Sequence, residues 1–201
     1  MKTKRFIIAL LLLSYLPSCV AVTALSAIPG SLVTVVADQF RGNEVSFAYS
    51  MRRTIATSQR VLQSMRLDID ILEIQSDGGY MLSFNNAKLE GTIQLRSQTP
   101  RLTTLYIKVK SRTREESVEQ AIVDLVEQKL KTLPNGIRFQ EAKYQSIMGQ
   151  PSTESPIIGW FRPGSTLVAH KSELKEWLEV QLPSGKKAYL KGSIVQQASK
   201  L

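Results

Sequence analysis

Three kinds of side chain in this sequence are able to do chemistry: one thiol, one imidazole and a short run of carboxylates. Cys19 is the only cysteine and His170 the only histidine among 201 residues. A thiol acts as nucleophile or metal ligand through its thiolate, which needs a base or a cation beside it. Cys19 sits instead at the end of an apolar leader, a place that removes it from catalysis. One imidazole supports neither a histidine-based metal site nor an obvious Ser–His pair with several partners. Its setting, Val168-Ala169-His170-Lys171 ahead of a polar turn, reads as a solvated loop. Asp68, Asp70 and Glu73 lie together near the turn residue Asp77. Oxygen ligands of that kind suit calcium, but on an alternating strand they read as a solvated outer face. Gly78-Gly79 lacks the context of a phosphate loop. These residues point to a protein that is not an enzyme and holds no metal and no cofactor.

The leader is basic from Met1 to Arg5 and apolar from Phe6 to Leu16 apart from Ser14. That is the pattern of a secretory signal, and the apolar run is too short to span a bilayer stably. Leu16-Pro17-Ser18-Cys19 follows. With a branched apolar residue three places before the cysteine and a small one directly before it, this stretch resembles the lipobox of bacterial lipoproteins. The resemblance implies that the signal, residues 1–18, is cut away and that Cys19 is acylated on its sulfur and its new amino group. Several acyl chains hold a protein on a membrane where one chain does not, since each buried methylene adds ~0.8 kcal/mol. Anchorage also accounts for a lone cysteine in an exported chain. Val20, rather than an aspartate, follows the cysteine. By the same resemblance this implies the periplasmic face of the outer membrane. The alternative is ordinary cleavage after Ala24, for which Val22-Thr23-Ala24 supplies the small residues, and which implies a secreted or periplasmic soluble protein.

Removing Lys2, Lys4 and Arg5 with the signal leaves 23 basic against 17 acidic residues, a formal charge of +6. The positives are spread rather than clustered, so nucleic acid is not the expected partner. An anionic wall or lipid surface suits an exported chain better. A hydrophobic fraction of 43% is enough for one or two small cores, and a single thiol permits no internal disulfide.

Residues 19–43 read as a lipid-anchored tether, with a first strand or helix of the next domain as the alternative. From residue 44 the periodicity becomes informative. Val45, Phe47 and Tyr49 alternate, Ser50 is a helix cap, and Met51, Ile55, Ser58, Leu62 and Met65 recur at helical spacing. Arg52, Arg53 and Arg60 on the remaining faces read as solvated or laid against an acidic element. Four alternating runs follow: Leu67-Ile69-Ile71, Tyr80-Leu82-Phe84, Leu89-Ile93-Leu95 and Leu105-Ile107-Val109. A second helix is capped near Thr113, carries Val118, Ile122, Leu125, Val126 and Leu130 as its stripe, and stops at Leu133-Pro134. Short links and single apolar faces predict an α+β domain over residues 44–136, an antiparallel meander with two helices packed on one face. A lipobox followed by helix, meander and helix resembles small uncharacterised bacterial lipoprotein families, a resemblance that brings no activity with it.

Residues 137–201 read as a connector and a small all-β barrel of short strands with frequent turns. The stretch from Pro151-Ser152-Thr153 to Ile158-Gly159, the turn Pro163-Gly164, Trp177 with Val180, the turn Ser184-Gly185 and the pair Tyr189-Leu190 resemble bacterial SH3-like domains of type b. The resemblance implies a module that binds cell-wall peptide or envelope proteins and does no chemistry. Its contact residues are expected at Trp160, Phe161, Trp177 and Tyr189, with Lys186 and Lys187 supplying positive charge. Trp160 and Phe161 are adjacent, so on a strand they face opposite ways and one is expected to be exposed. The two halves are expected to fold independently. The sequence thus predicts a non-enzymatic envelope lipoprotein that binds peptidoglycan or an envelope protein through an SH3-like barrel. Its alternative is a structural docking component of a secretion or division assembly.

Overall fold

A computed structural model of the chain describes residues 42–165 and 169–192. The chain divides into two units, Met1–Val36 and Ala37–Leu201, and every described residue belongs to the second. The expected signal, Cys19 and nearly all of the expected tether therefore lie outside the described residues.

Strand β1 (Asn43–Phe47) leads through Ser50 into helix α1 (Met51–Ser64). Ser50 has extended backbone, and its carbonyl accepts from the Thr54 N–H at 3.0 Å and the Thr54 hydroxyl at 3.1 Å. The expected cap position is correct, although the Ser50 side chain makes no capping bond. Helix α1 ends where Arg66 takes a positive φ of 58°, a left-handed conformation usually left to glycine. The meander follows as β2 (Asp68–Ile74), β3 (Tyr80–Asn85), β4 (Glu90–Thr99) and β5 (Leu102–Lys110). Helix α2 (Glu116–Thr132) closes it, with Glu115 rather than Thr113 at its amino-terminal boundary.

Both helices lay their apolar stripes on one face of this meander. Ile55, Val61 and Leu62 of α1 and Ile122, Val126 and Leu130 of α2 share a cluster with Leu72, Leu82, Phe84, Ile93, Leu95, Leu105 and Ile107. The two helices are also tied end to side. Arg53 donates to the carbonyls of Leu130 and Leu133 at 2.7 Å each, bonds Asn135, and lies 5.0 Å over the Tyr49 ring. It is neither solvated nor set against an acidic element, as its sequence neighbourhood suggests. It caps the negative end of α2, where carbonyls lack helical partners.

After a 3-10 turn at Glu141–Lys143 come β6 (Gln145–Met148), β7 (Ile157–Phe161), β8 (Ala169–Lys171), β9 (Trp177–Gln181) and β10 (Lys187–Lys191). The ten described strands form one antiparallel sheet in the order β1-β5-β4-β3-β2-β7-β6-β10-β9-β8. The fold is thus α+β, and the sheet stays open: its two end strands, β1 and β8, do not pair with each other. The join between the segments is β2 with β7, where Ile71 opposes Phe161, Leu72 opposes Trp160 and Glu73 opposes Gly159. Approach at this join is so close that a Cβ on Gly159 would stand 2.6 Å from the Leu72 carbonyl oxygen. A smaller apolar cluster, Ile147, Phe161, Val180, Leu182, Ala188 and Leu190, takes in Ile71 from β2.

Asp70 and Glu73 depart most from expectation. They are buried, at 5% and 0% exposure, rather than on a solvated face. A bulge between Ile69 and Ile71 sets Asp70 out of register. Its carbonyl accepts from the Arg162 N–H at 2.8 Å, while its carboxylate accepts from the Arg162 guanidinium at 2.9 Å and from the Ser165 hydroxyl. Glu73 takes the Ser184 N–H at 3.0 Å and the Ser184 hydroxyl at 2.5 Å. Ser184 belongs to the β9–β10 turn, so two carboxylates of β2 pin the carboxy-terminal strands to the meander. A carboxylate is tolerated inside a fold when donors satisfy its oxygens, and these have them.

Candidate functional site

A cleft of about 500 Å³ opens where α1, the β2–β3 turn, the connector and β7 meet. Each wall has a local cause. The first turns of α1 contribute Met51, Arg52 and Ile55. Leu72 of β2 and Trp160 of β7 form a cross-strand pair on the helix-covered side of the sheet, which makes them the floor. The opposite wall begins at the β2–β3 turn. There the Asp77 carboxylate accepts the Gly79 N–H at 2.9 Å, and Gly78 takes the positive φ of 77° that the turn needs. This turn presents Gly78 and Tyr80, and Ser97 of β4 lies beyond it.

The connector completes the site because α1 grips it. Gln59, buried within the helix, accepts the Gln140 N–H at 2.8 Å and donates to the Gln140 carbonyl at 3.4 Å. These two hydrogen bonds to the backbone of one residue set Arg138, Phe139 and Glu141 along the cleft. The Phe139 ring lies 5.3 Å from that of Tyr144, whose hydroxyl pKa is raised by burial.

Chemically the cleft offers three half-buried aromatic rings, Tyr80, Phe139 and Trp160, with exposed charges at its rim. The charges are two guanidiniums, Arg52 and Arg138, and one carboxylate, Glu141. None of the three side chains has an ion-pair or hydrogen-bond partner among the described residues. Its size suits a small ligand or a short piece of peptide. Among the described residues no three His, Cys, Asp or Glu side chains gather as a metal site.

The residues expected to make contacts are dispersed. Trp160 is in the cleft. Phe161 faces the opposite side of β7, buried in the smaller cluster. Trp177 is also buried, at 8% exposure. Tyr189 opposes Glu179 on the β9–β10 ribbon, and Lys187 pairs with Glu179 at 2.8 Å. Lys186 is exposed at the β9–β10 turn. Two surrounding cations are also engaged: Arg162 with Asp70 at 2.9 Å, and Lys191 with Glu176 at 4.0 Å. His170 is on strand β8 rather than in a loop, exposed and opposite Glu179.

The cleft residues other than Trp160 were not legible as a site. Tyr80 reads as an ordinary core-facing strand position and Arg52 as part of a basic helix face. Arg138-Phe139 stands in a segment without periodicity, and its only signal is an aromatic beside a cation in polar surroundings. No protein-family model matches the chain, and no curated protein is similar to it.

Proposed function

We propose that the chain is a non-enzymatic lipoprotein of the bacterial envelope, anchored through Cys19 at the periplasmic face of the outer membrane, that binds the cell wall or an envelope protein. One observation carries the binding half of this reading: an open cleft with three aromatic walls and unpartnered charges at its rim. Such surfaces hold ligands by stacking and charge-assisted hydrogen bonds rather than by reacting with them. The anchor half rests on the leader and on Leu16-Pro17-Ser18-Cys19. We read β6 to β10 as an SH3-like module whose strand β7 has been taken into the larger sheet. In that arrangement Phe161 and Trp177 are spent on packing, Tyr189 stays half-buried on the β9–β10 ribbon, and Trp160 is the module's aromatic that lines the cleft. The docking-component reading draws on a different observation, the open ends of the sheet at β1 and β8, which offer strand edges to a partner.

Co-sedimentation of the full chain, in mild detergent, with purified peptidoglycan tests the first reading. Retention is expected, with loss in Trp160→Ala, whose cooperative melting transition should persist at a lower temperature. Failure of the wild type to sediment removes the wall reading and leaves the docking one. Mass spectrometry of the mature amino terminus tests the anchor. An acylated Cys19 is expected, and a free terminus at Leu25 overturns it.

A further inference from the structure

We infer that the cleft between α1 and β7 takes a short peptide carrying two carboxylates and one ammonium group, the chemistry of a cell-wall stem peptide. This rests on the wall-binding reading and names the ligand class for that same site. Arg52 on one wall and Arg138 on the other each offer a fork of donors that matches a carboxylate. Neither has an acidic partner among the described residues, although Arg96, Arg114 and Arg162, elsewhere in the described fold, all have one. Glu141 is the single carboxylate of the lining, and it too has no cationic partner among the described residues. Two positive groups and one negative group at the rim complement two negative groups and one positive group on the ligand. Tyr80, Phe139 and Trp160 between them accept the backbone and the methylenes of a long side chain. A volume of about 500 Å³ holds a few residues of peptide and excludes a folded domain. An acidic protein surface would meet the guanidiniums but leave the aromatic floor unused.

The probe is the synthetic peptide acetyl-Ala-Glu-Lys, with two carboxylates and one ammonium, titrated calorimetrically into the detergent-solubilised full chain. Acetyl-Ala-Gln-Lys amide, which has no carboxylate, is the comparison. Saturable binding of the acid form is expected, weakened roughly tenfold or more in the amide form, which keeps only the ammonium charge. Arg52→Gln and Arg138→Gln should each weaken the acid form by about tenfold. Arg60→Gln, an exposed change on the same helix outside the cleft, should leave binding unchanged. Equal binding of the two peptides overturns the inference, and so does absence of saturation up to about 1 mM. These comparisons use the wild-type chain, so they hold even if a variant folds poorly. Sedimentation with peptidoglycan separates the two levels. A chain that binds the wall but ignores the acid peptide refutes the ligand class alone. A chain that binds the peptide but not the wall supports the ligand class and refutes the wall as its source.

Discussion

Residues 44–136 and 137–192 contribute to the same sheet but are held together differently. In the first segment two helices cover one face, and the described core is a single cluster of eighteen buried apolar side chains. In the second, five short strands surround a cluster of seven, one of which, Ile71, belongs to β2. A segment as short as the second buries a small share of its surface and is at best marginally stable without a further source of stability. The second segment has no disulfide to use, since the chain has one cysteine. It takes a strand neighbour, a core residue and two buried carboxylates from the first. The difference shows how a weak module acquires a fixed structure: through specific polar bonds to a stronger neighbour as well as through apolar burial.

The severest test of this contrast is to separate the segments. Against the expectation of independently folding halves, residues 137–201 alone should lack cooperative melting by circular dichroism, since Ile71, Asp70 and Glu73 are then absent. A cooperative transition in the isolated segment would break the comparison.

Removing one polar tie should have the next largest effect. Asp70→Ala leaves the Arg162 guanidinium and the Ser165 hydroxyl without their acceptor, at a cost of about 2–4 kcal/mol. Glu73→Ala strips both bonds from Ser184 and should cost about 2–3 kcal/mol. Hydrogen exchange should show faster opening in β7, β9 and β10 than in β3 to β5. Uniform loss of protection across both segments would refute the assignment of these carboxylates as ties.

Acid should act on the first segment through Glu119. This carboxylate is buried at 0% exposure, accepts the Val109 N–H at 2.9 Å, and pairs with Arg114 at 2.7 Å. Burial by itself raises its pKa, but the Arg114 guanidinium and the Val109 N–H outweigh that and hold it below the ordinary glutamate value. A folded value below the unfolded one contributes stability that is present above the unfolded pKa and is lost as pH falls through the folded one. The melting temperature should therefore decline below about pH 4.3. Glu119→Gln should lower stability at neutral pH and make that decline shallower. An unchanged acid profile would show that other carboxylates govern it.

The smallest effect expected is a gain. Arg66→Gly relieves a left-handed backbone at the end of α1 and should stabilise by about 0.5–1 kcal/mol, read as a rise in melting temperature.

Much of the meander and both helices was legible because one-faced burial writes itself into spacing. Leu105, Ile107 and Val109 point inward at period two, and Ile122, Val126 and Leu130 do so at helical period. The stop of α2 at Leu133-Pro134 and the turn at Gly78 were legible for a related reason, since proline and glycine restrict or free the backbone of their own residue. The β2 carboxylates defeated the same reasoning. Asp68 and Asp70 alternate with isoleucines as a solvated face does, and neither the bulge at Asp70 nor the carboxy-terminal turn that covers Glu73 leaves a mark in the neighbouring residue types.

Sequence alone therefore determined what depends on near neighbours: the two amphipathic helices, the strands and their turns. Tertiary structure alone decided what depends on partners far along the chain. Asp70 meets Arg162 and Ser165 across more than ninety positions, Glu73 meets Ser184 across 111, and Gln59 meets Gln140 across 81. Trp160 becomes a cleft wall and Phe161 a core residue because β7 pairs with β2, which gives each side of that strand a different environment. Local spacing records which way a side chain points. It does not record what stands there to meet it, because that partner arrives only when distant strands pair.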